Sequence, residues 1–255
     1  MEKEQSNRPM PPGISATQYR ENQLLRLMTP GVRDRLRASF EIVREERGSV
    51  LIEPGDETTH AYFPLGGTVV SYVIPMQDGR GIEAASVGRE GSIGGIASAG
   101  AYPFFARAVV RMPGEIARIP SARLEEVKRE HPALHDLLSR YIDCFIAQVL
   151  QSAACASVHS LEARYARWLL LMQDRIQADD LPLTQEALAE MFGVARSWVT
   201  RVSTSLQDRG MISYRRGVVH IADRDALADA SCECYALVRQ HFDRLAPGLY
   251  PDLEP

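Results

Sequence analysis

Apolar residues recur along this chain in three rhythms, and each rhythm marks a region. From Phe40 to Ile119 short apolar runs alternate with turns. The runs are Val50-Leu-Ile, Ala61-Tyr-Phe, Thr68-Val-Val-Ser-Tyr-Val-Ile, Ile82-Glu-Ala-Ala-Ser-Val, Ala106-Arg-Ala-Val-Val-Arg and Glu115-Ile-Ala-Arg-Ile. Between them stand Pro54-Gly55, Gly66-Gly67, Asp78-Gly79, Gly88, Gly91 and Pro113-Gly114. Many short strands with glycine at close intervals predict a barrel or jelly roll.

Helical spacing flanks this region on both sides. Tyr19 to Met28 carries Leu24, Leu25 and Leu27, and Pro30 to Phe40 reads as a second helix. Met1 to Ser15 is polar and proline-bearing, the composition of a disordered segment. After Pro120 a long helical stretch runs to about Ser157, with Ser121 as N-cap and Pro132 at a break or restart. Within it Leu138, Ile142, Phe145 and Val149 follow a/d heptad spacing. Such a seam either pairs two helices or packs on the chain's own roll. A hinge is expected near Ser157 to Ser160, then a helix over Leu161 to Ile176 with Trp168 inward.

The third rhythm, from Pro182 to Gly217, is the most specific. Thr184 suits an N-cap, with Ala187 at the position where a capping box needs Glu or Gln. Ala187, Leu188 and Met191 share an apolar face, and Gly193 stands where a left-handed cap closes the helix. A second helix begins near Ala195 with Val199, Val202 and Leu206 inward and Arg196, Ser197, Thr200 and Arg201 outward. Gly210 ends it. Ile212, Tyr214, Val219 and Ile221 then predict strands around Arg215-Arg216-Gly217. This is a helix-turn-helix with a hairpin wing, a unit that puts the start of its second helix into the major groove of DNA. Arginine there can pair with guanine O6 and N7.

At these residues the chain resembles the Crp/Fnr family of bacterial transcription regulators. Leu183-Thr-Gln-Glu-Ala-Leu-Ala-Glu with Gly193-Val-Ala-Arg-Ser-Trp-Val-Thr-Arg is similar to its winged-helix signature. Glu53-Pro-Gly-Asp56 and Tyr62-Phe-Pro-Leu-Gly-Gly67 resemble the opening hairpins of its β-roll. The resemblance implies an α+β fold: a disordered N-terminus over 1–18, a cyclic-nucleotide-binding-like β-roll over 19–120, and a dimerisation helix over 121–157. A winged helix-turn-helix domain over 158–235 and a C-terminal tail over 236–255 complete the expected division. It implies a homodimer on double-stranded DNA, with palindromic half-sites about 34 Å apart, and contact with RNA polymerase. The DNA-facing residues are then Thr184, Gln185, Arg196, Ser197, Thr200, Arg201, Arg215 and Arg216, and the dimer seam is Leu138, Ile142, Phe145 and Val149. Ser197 occupies a place where several members carry a base-reading Glu.

The family's cyclic-nucleotide chemistry is missing from the roll. Gly95, within Gly91-Ser-Ile-Gly-Gly-Ile96, stands where the ribose-binding Glu would be, and Phe104 and Phe105 stand where the phosphate-binding Arg-Ser pair would be. A buried phosphate with no cation is strongly disfavoured. Arg107 is the nearest substitute, and it reads better as a solvated strand residue. The chain is therefore not expected to bind cyclic AMP or cyclic GMP by the usual mode, although an unidentified small-molecule effector remains open.

Composition narrows the remaining classes. The 255 residues carry a net charge of −4, while Gly193 to Gly217 holds five arginines against one acid, Asp208, so DNA affinity must come from a local patch. No apolar run approaches the roughly 20 residues that span a bilayer, and the N-terminus lacks a signal-peptide core, which points to the cytoplasm and away from a membrane. Of the four cysteines none forms a CxxC pair. Cys232 and Cys234 would point roughly 200° apart in a helix, which predicts buried, reduced thiols, no metal and no cofactor; a redox role for this pair is the alternative. An N-terminal cysteine cluster for iron–sulfur is absent, and His60 as a haem ligand is weaker than His60 as a capping or surface residue. No nucleophile–base set or phosphate loop supports an enzyme. The rival reading is a small-molecule or redox sensor that acts mainly through a protein partner.

Overall fold

The computed structural model describes residues 13–96 and 102–250. Three short helices lead in: α1 (Ala16–Arg20), α2 (Gln23–Leu27) and α3 (Pro30–Leu36). The single helix expected over Tyr19 to Met28 is divided at Asn22. That side chain is fully buried, accepts from the Leu25 amide, and donates to the carbonyls of Pro64 and Gly91. The break lets one amide cap α2 and satisfy two carbonyls of the roll. The expected disorder over 1–18 is corrected at its end: Ile14 is fully buried and Ser15 closes a capping box with Gln18. Residues 1–12 of that expectation lie outside the described residues.

Among the described residues eight strands build the roll: β1 (Glu41–Glu45), β2 (Val50–Ile52), β3 (His60–Pro64), β4 (Val69–Pro75), β5 (Gly81–Val87), β6 (Ile93–Gly94), β7 (Arg107–Met112) and β8 (Gly114–Pro120). They form two antiparallel sheets, in the orders β1-β8-β3-β6 and β2-β7-β4-β5. Ile52, Val70, Val87, Ile93, Ala108, Val110 and Ile116 fill the space between them, as the period-2 alternation of half-buried strands requires. Tyr19 of α1 meets Phe40 edge-on, and Phe40 meets Phe63 of β3 in the same way.

Helices α4 (Ser121–Glu130) and α5 (Pro132–Val158) follow. They part at His131, which is extended, because the residue before a proline avoids the helical region. Ser121 is not the N-cap expected of it. Pro120 holds that place, and the Ser121 hydroxyl donates to the Thr58 carbonyl at 2.9 Å. Helix α5 is about 40 Å long, and its most apolar stretch reaches a mean hydropathy of 1.3. By length and composition it is long and apolar enough to cross a bilayer, contrary to the sequence reading, yet one face of it is packed on the roll.

That packing corrects the register of the seam. Leu138 is 1% exposed, held inside its own chain with Leu134, Tyr141 and Cys144. Phe145 packs against Tyr72 and Tyr141. Ile142 and Val149 are half-buried, and the outward residues are Ile146 and Leu150. Apolar residues surround α5 on more than one face, so heptad spacing alone does not tell the roll-facing stripe from the solvent-facing one.

The C-terminal region contains α6 (Leu161–Ile176), β9 (Asp180–Leu181), α7 (Gln185–Phe192), α8 (Arg196–Asp208), β10 (Ile212–Arg215), β11 (Val218–Ile221), α9 (Arg224–Ala230) and α10 (Cys234–Leu245). The three strands make a small antiparallel sheet in the order β10-β11-β9. The boundary expected between residues 235 and 236 falls inside α10, which lies along α5 rather than trailing as a tail.

One arginine joins all three regions. Arg175, on α6, is 3% exposed and donates to Glu90 at 2.8 Å and Ser86 at 2.7 Å on the roll, and to Gln148 on α5 at 3.0 Å. Gln148 in turn donates to the Ser86 carbonyl. Gly88 makes room, since a Cβ there would lie 2.8 Å from the Arg175 side chain. Nearby, Trp168 Nε1 donates to Glu83 Oε1 on β5 at 3.0 Å.

Candidate nucleic-acid interface

Local sequence chemistry sets the helix-turn-helix. Thr184 caps α7, its hydroxyl accepting from the Ala187 amide at 3.2 Å. Gly193 closes the helix at φ +65, a backbone that glycine adopts without a Cβ clash. Its Cα also meets the roll: a Cβ there would lie 2.7 Å from Ile82 Cδ1. In α8, Val199, Val202 and Leu206 are buried as expected, and Ser203 joins them by bonding to the Tyr165 hydroxyl. No side chain caps the first amides of α8, where Ala195 is the N-cap residue.

The outward face of α8 carries Arg196, Ser197, Thr200 and Arg201, all exposed. Arg196 is held by Glu186 at 2.5 Å, an exposed pair that contributes little stability. Thr200 donates to Gln185 at 3.0 Å, which links the second helix to the first. The Arg201 guanidinium stands 4.7 Å from the centre of the Trp198 ring. Trp198 is half exposed, and the sequence reading gives it no role. A signal for it exists: it lies off the Val199/Val202/Leu206 stripe and three residues before an arginine, the spacing that stacks side chains on a helix.

The wing is a two-residue hairpin in which Arg215 pairs with Val218. Arg216 and Gly217 both have positive φ, 48 and 79, the signature of a type I′ turn. Arg215 and Arg216 point to solvent. The Gly217 Cβ position lies 3.6 Å from Thr184 Cγ2, and Tyr214 donates to the Leu183 carbonyl at 3.1 Å, so the wing abuts the cap of α7. Burial pushes the Tyr214 hydroxyl pKa up, keeping it a donor there. These contacts join α7, α8 and the wing; of the eight residues expected to face DNA, six are exposed and Thr184 and Gln185 are half-buried at the junction.

A β-roll, a long connecting helix and a winged helix-turn-helix with an arginine-bearing face define a two-region regulator that reads duplex DNA. The family model of the Crp-like helix-turn-helix domain matches residues 163–230. The global nitrogen regulator of Nostoc sp. is 30% identical over 182 residues, which are 67% of this chain and 80% of that protein. The Synechocystis sp. protein of the same name is 28% identical over 194 residues, 72% of this chain and 85% of that one. FixK2 from Bradyrhizobium japonicum shares the fold at a TM-score of 0.63 and 14% identity, covering 76% of this chain and 98% of its own. A CRP-family regulator from Thermus thermophilus does so at 0.62 and 23%, covering 74% and 96%. The chain belongs to the Crp/Fnr family of transcription regulators, with the α+β architecture expected of it.

The roll holds a cavity of about 300 Å³ between its strands and α5. Gly95, Phe104 and Phe105, the three residues at the lost cyclic-nucleotide positions, all line it, with Tyr72, Tyr141 and Phe145. A Cβ at Gly95 would lie 1.9 Å from Ser121 Oγ, so no side chain fits there without movement. Tyr141 both accepts from the Ser92 amide and donates to its carbonyl, and burial raises its pKa well above the usual value. Arg107 is not among the lining residues; Glu53 holds it at 2.7 Å. His60 bonds Thr59 at 3.0 Å and does not line the cavity.

All four cysteines are free and buried, in line with the sequence reading, but the geometry assumed for Cys232 and Cys234 is not the one found. Cys232, however, precedes α10, and only Cys234 is helical. The roughly 200° separation of helical side chains therefore does not apply, and the two thiols converge with Cys155.

Proposed function

We propose that the chain is a homodimeric transcription regulator that reads a palindrome through α8 and steadies itself on the phosphates through its wing. The carrying observation is that Arg196, Ser197, Thr200, Arg201, Arg215 and Arg216 are exposed, with the half-buried Thr184 and Gln185 tying the wing and α8 to the start of α7. Arg196, Ser197 and Arg201 read bases, with Trp198 bracing Arg201. Arg215 and Arg216 meet the backbone. The exposed apolar residues of α5, Ile146 and Leu150 flanked by Ile142 and Val149, support a pairing of two such helices. RNA polymerase contact and a cytoplasmic location follow from this role, and no enzymatic activity is proposed.

The sensor does not take cyclic AMP or cyclic GMP in the family's usual way. Its cavity offers aromatic faces and a glycine where the phosphate cation and ribose acceptor are needed, which is chemistry for an uncharged ligand. Calorimetry should detect no cyclic-nucleotide binding at micromolar concentration; binding that depends on Arg107 overturns this reading.

Selection from random duplexes at physiological salt, with the effector-free protein, tests the DNA role. A palindrome with half-sites one turn apart is the expected product. A folded dimer that recovers no sequence, and binds DNA weakly and in a salt-labile way, favours output through a protein partner instead.

A further inference from the structure

Where α5 ends, three cysteines and a histidine from distant parts of the chain meet. Cys155 lies in the last turn of α5, and His159 is the extended residue that caps it, its amide donating to the Cys155 carbonyl. Cys232 comes from the turn between α9 and α10, and Cys234 opens α10. One donor atom from each lies within 4.8 Å of all the others. The Cys155 and Cys232 sulfurs are 3.5 Å apart, and the Cys234 sulfur is 3.6 Å from His159 Nδ1. We propose that Cys155, His159 (through Nδ1), Cys232 and Cys234 form a tetrahedral site for one soft divalent metal ion, with zinc as the fitting case.

Three features support this assignment. Four donors around one zinc, at its usual bond lengths to sulfur and imidazole nitrogen, stand about 3.5–3.8 Å from one another. The measured separations need only small side-chain movements to reach that. Thiolates on different irons of a polynuclear cluster stand farther apart than donors sharing one ion, so the geometry favours a mononuclear site. Second, the other imidazole nitrogen is already engaged: His159 Nε2 lies 3.2 Å from the Glu233 carboxylate. That is the outer carboxylate which orients a metal-bound histidine and fixes its tautomer. Third, the three sulfurs are almost fully buried, and Gln151 donates to the Cys234 sulfur at 3.0 Å. With four protein donors no position is left open, which is the form of a structural site and not of a catalytic one. Thiol protons leave as the ion binds.

The site straddles the passage from α5 into α6 and ties α10 to it. A bound ion would clip the hinge between sensor and DNA-binding regions, which rests on the regulator reading above but is tested separately from it.

The experiment is metal analysis of the full-length protein, purified without chelator and then exposed to a slight excess of zinc and desalted. About one zinc per protomer is expected. Cobalt in its place should give the intense visible bands of a tetrahedral ion and a thiolate charge-transfer band. Cys155→Ser/Cys232→Ser and His159→Asn should each lose zinc affinity at least tenfold, and Cys144→Ala should retain it. His159→Asn leaves every buried thiol in place, so its loss is informative even if the cysteine variant misfolds. Zinc below a tenth of an equivalent in the wild type overturns the site, as does equal zinc in His159→Asn. A Cys155–Cys232 disulfide in metal-free protein overturns it in favour of a redox crosslink. None of these readouts involves DNA, so their failure leaves the regulator reading intact.

Discussion

Arg216 holds a left-handed backbone, φ 48, at the tip of the wing, a conformation that costs an ordinary residue roughly 1–2 kcal/mol relative to glycine. Asparagine or glycine would suit the turn better, so the arginine is accounted for by its charge. Arg216→Gly should therefore raise the thermal midpoint while weakening binding to all DNA sequences alike. Arg196 should behave differently. Arg196→Ala is expected to lose about 1–3 kcal/mol on the preferred site and to relax one base pair of it, measured by binding to a panel of single-base variants. An equal loss on every sequence would assign Arg196 to the backbone. At this scale the sequence is readable wherever local geometry demands one residue type: Thr184 caps, Gly193 turns and Arg216-Gly217 bends where each is expected. Trp198 is legible only as a residue off the buried stripe and three before an arginine, and the Cys155–His159–Cys232–Cys234 cluster is not legible at all, because it unites residues nearly eighty positions apart.

At the scale of elements, the buried pair Arg175–Glu90 holds α6 to the roll. Removing one partner leaves an uncompensated buried charge, at about 3–5 kcal/mol. Arg175→Met should thus lower stability sharply, whereas Arg175→Met combined with Glu90→Leu should recover much of the loss in denaturant titrations. If the double variant is as unstable as the single one, the charge pair is not what matters there. The sequence predicts β2, β3, β4, β5, β7 and β8 from their apolar positions between turns, and it misses β1, β6 and β9. Strands β6 and β9 have two residues each and no period to detect, and β1 offers only Ile42 and Val43 between charged residues. Helix α10 reads as a tail in the sequence because its amphipathic face answers to α5, a surface known only once the chain is folded.

For the whole molecule the decisive surface is the outer face of α5. Leu150 is 65% exposed and Ile146 49% exposed, on a helix whose opposite side is locked to the roll. Leu150→Glu should leave the fold intact and dissociate the proposed dimer, since burying a carboxylate in an apolar seam costs at least about 3 kcal/mol, roughly a hundredfold in dissociation constant. Sedimentation at micromolar concentration gives the answer, and a variant that stays dimeric places the interface elsewhere. Loss of the dimer should also abolish recognition of paired half-sites while single half-sites retain weak binding. The overall order of roll, long helix and winged domain is legible because each has its own hydrophobic period. The orientation of α5 is not, because an apolar helix looks the same from both sides until something is packed on one of them.

The same Arg175 contacts bear on how such regulators can be recombined. A chimera cut at the natural joint near His159 would carry Arg175 with the DNA-binding half and leave Glu90, Ser86 and Gln148 behind with the sensor half. The two halves are therefore not interchangeable cassettes. A working graft has to transplant the socket along with the plug, and lineages that altered either one would have had to alter both together.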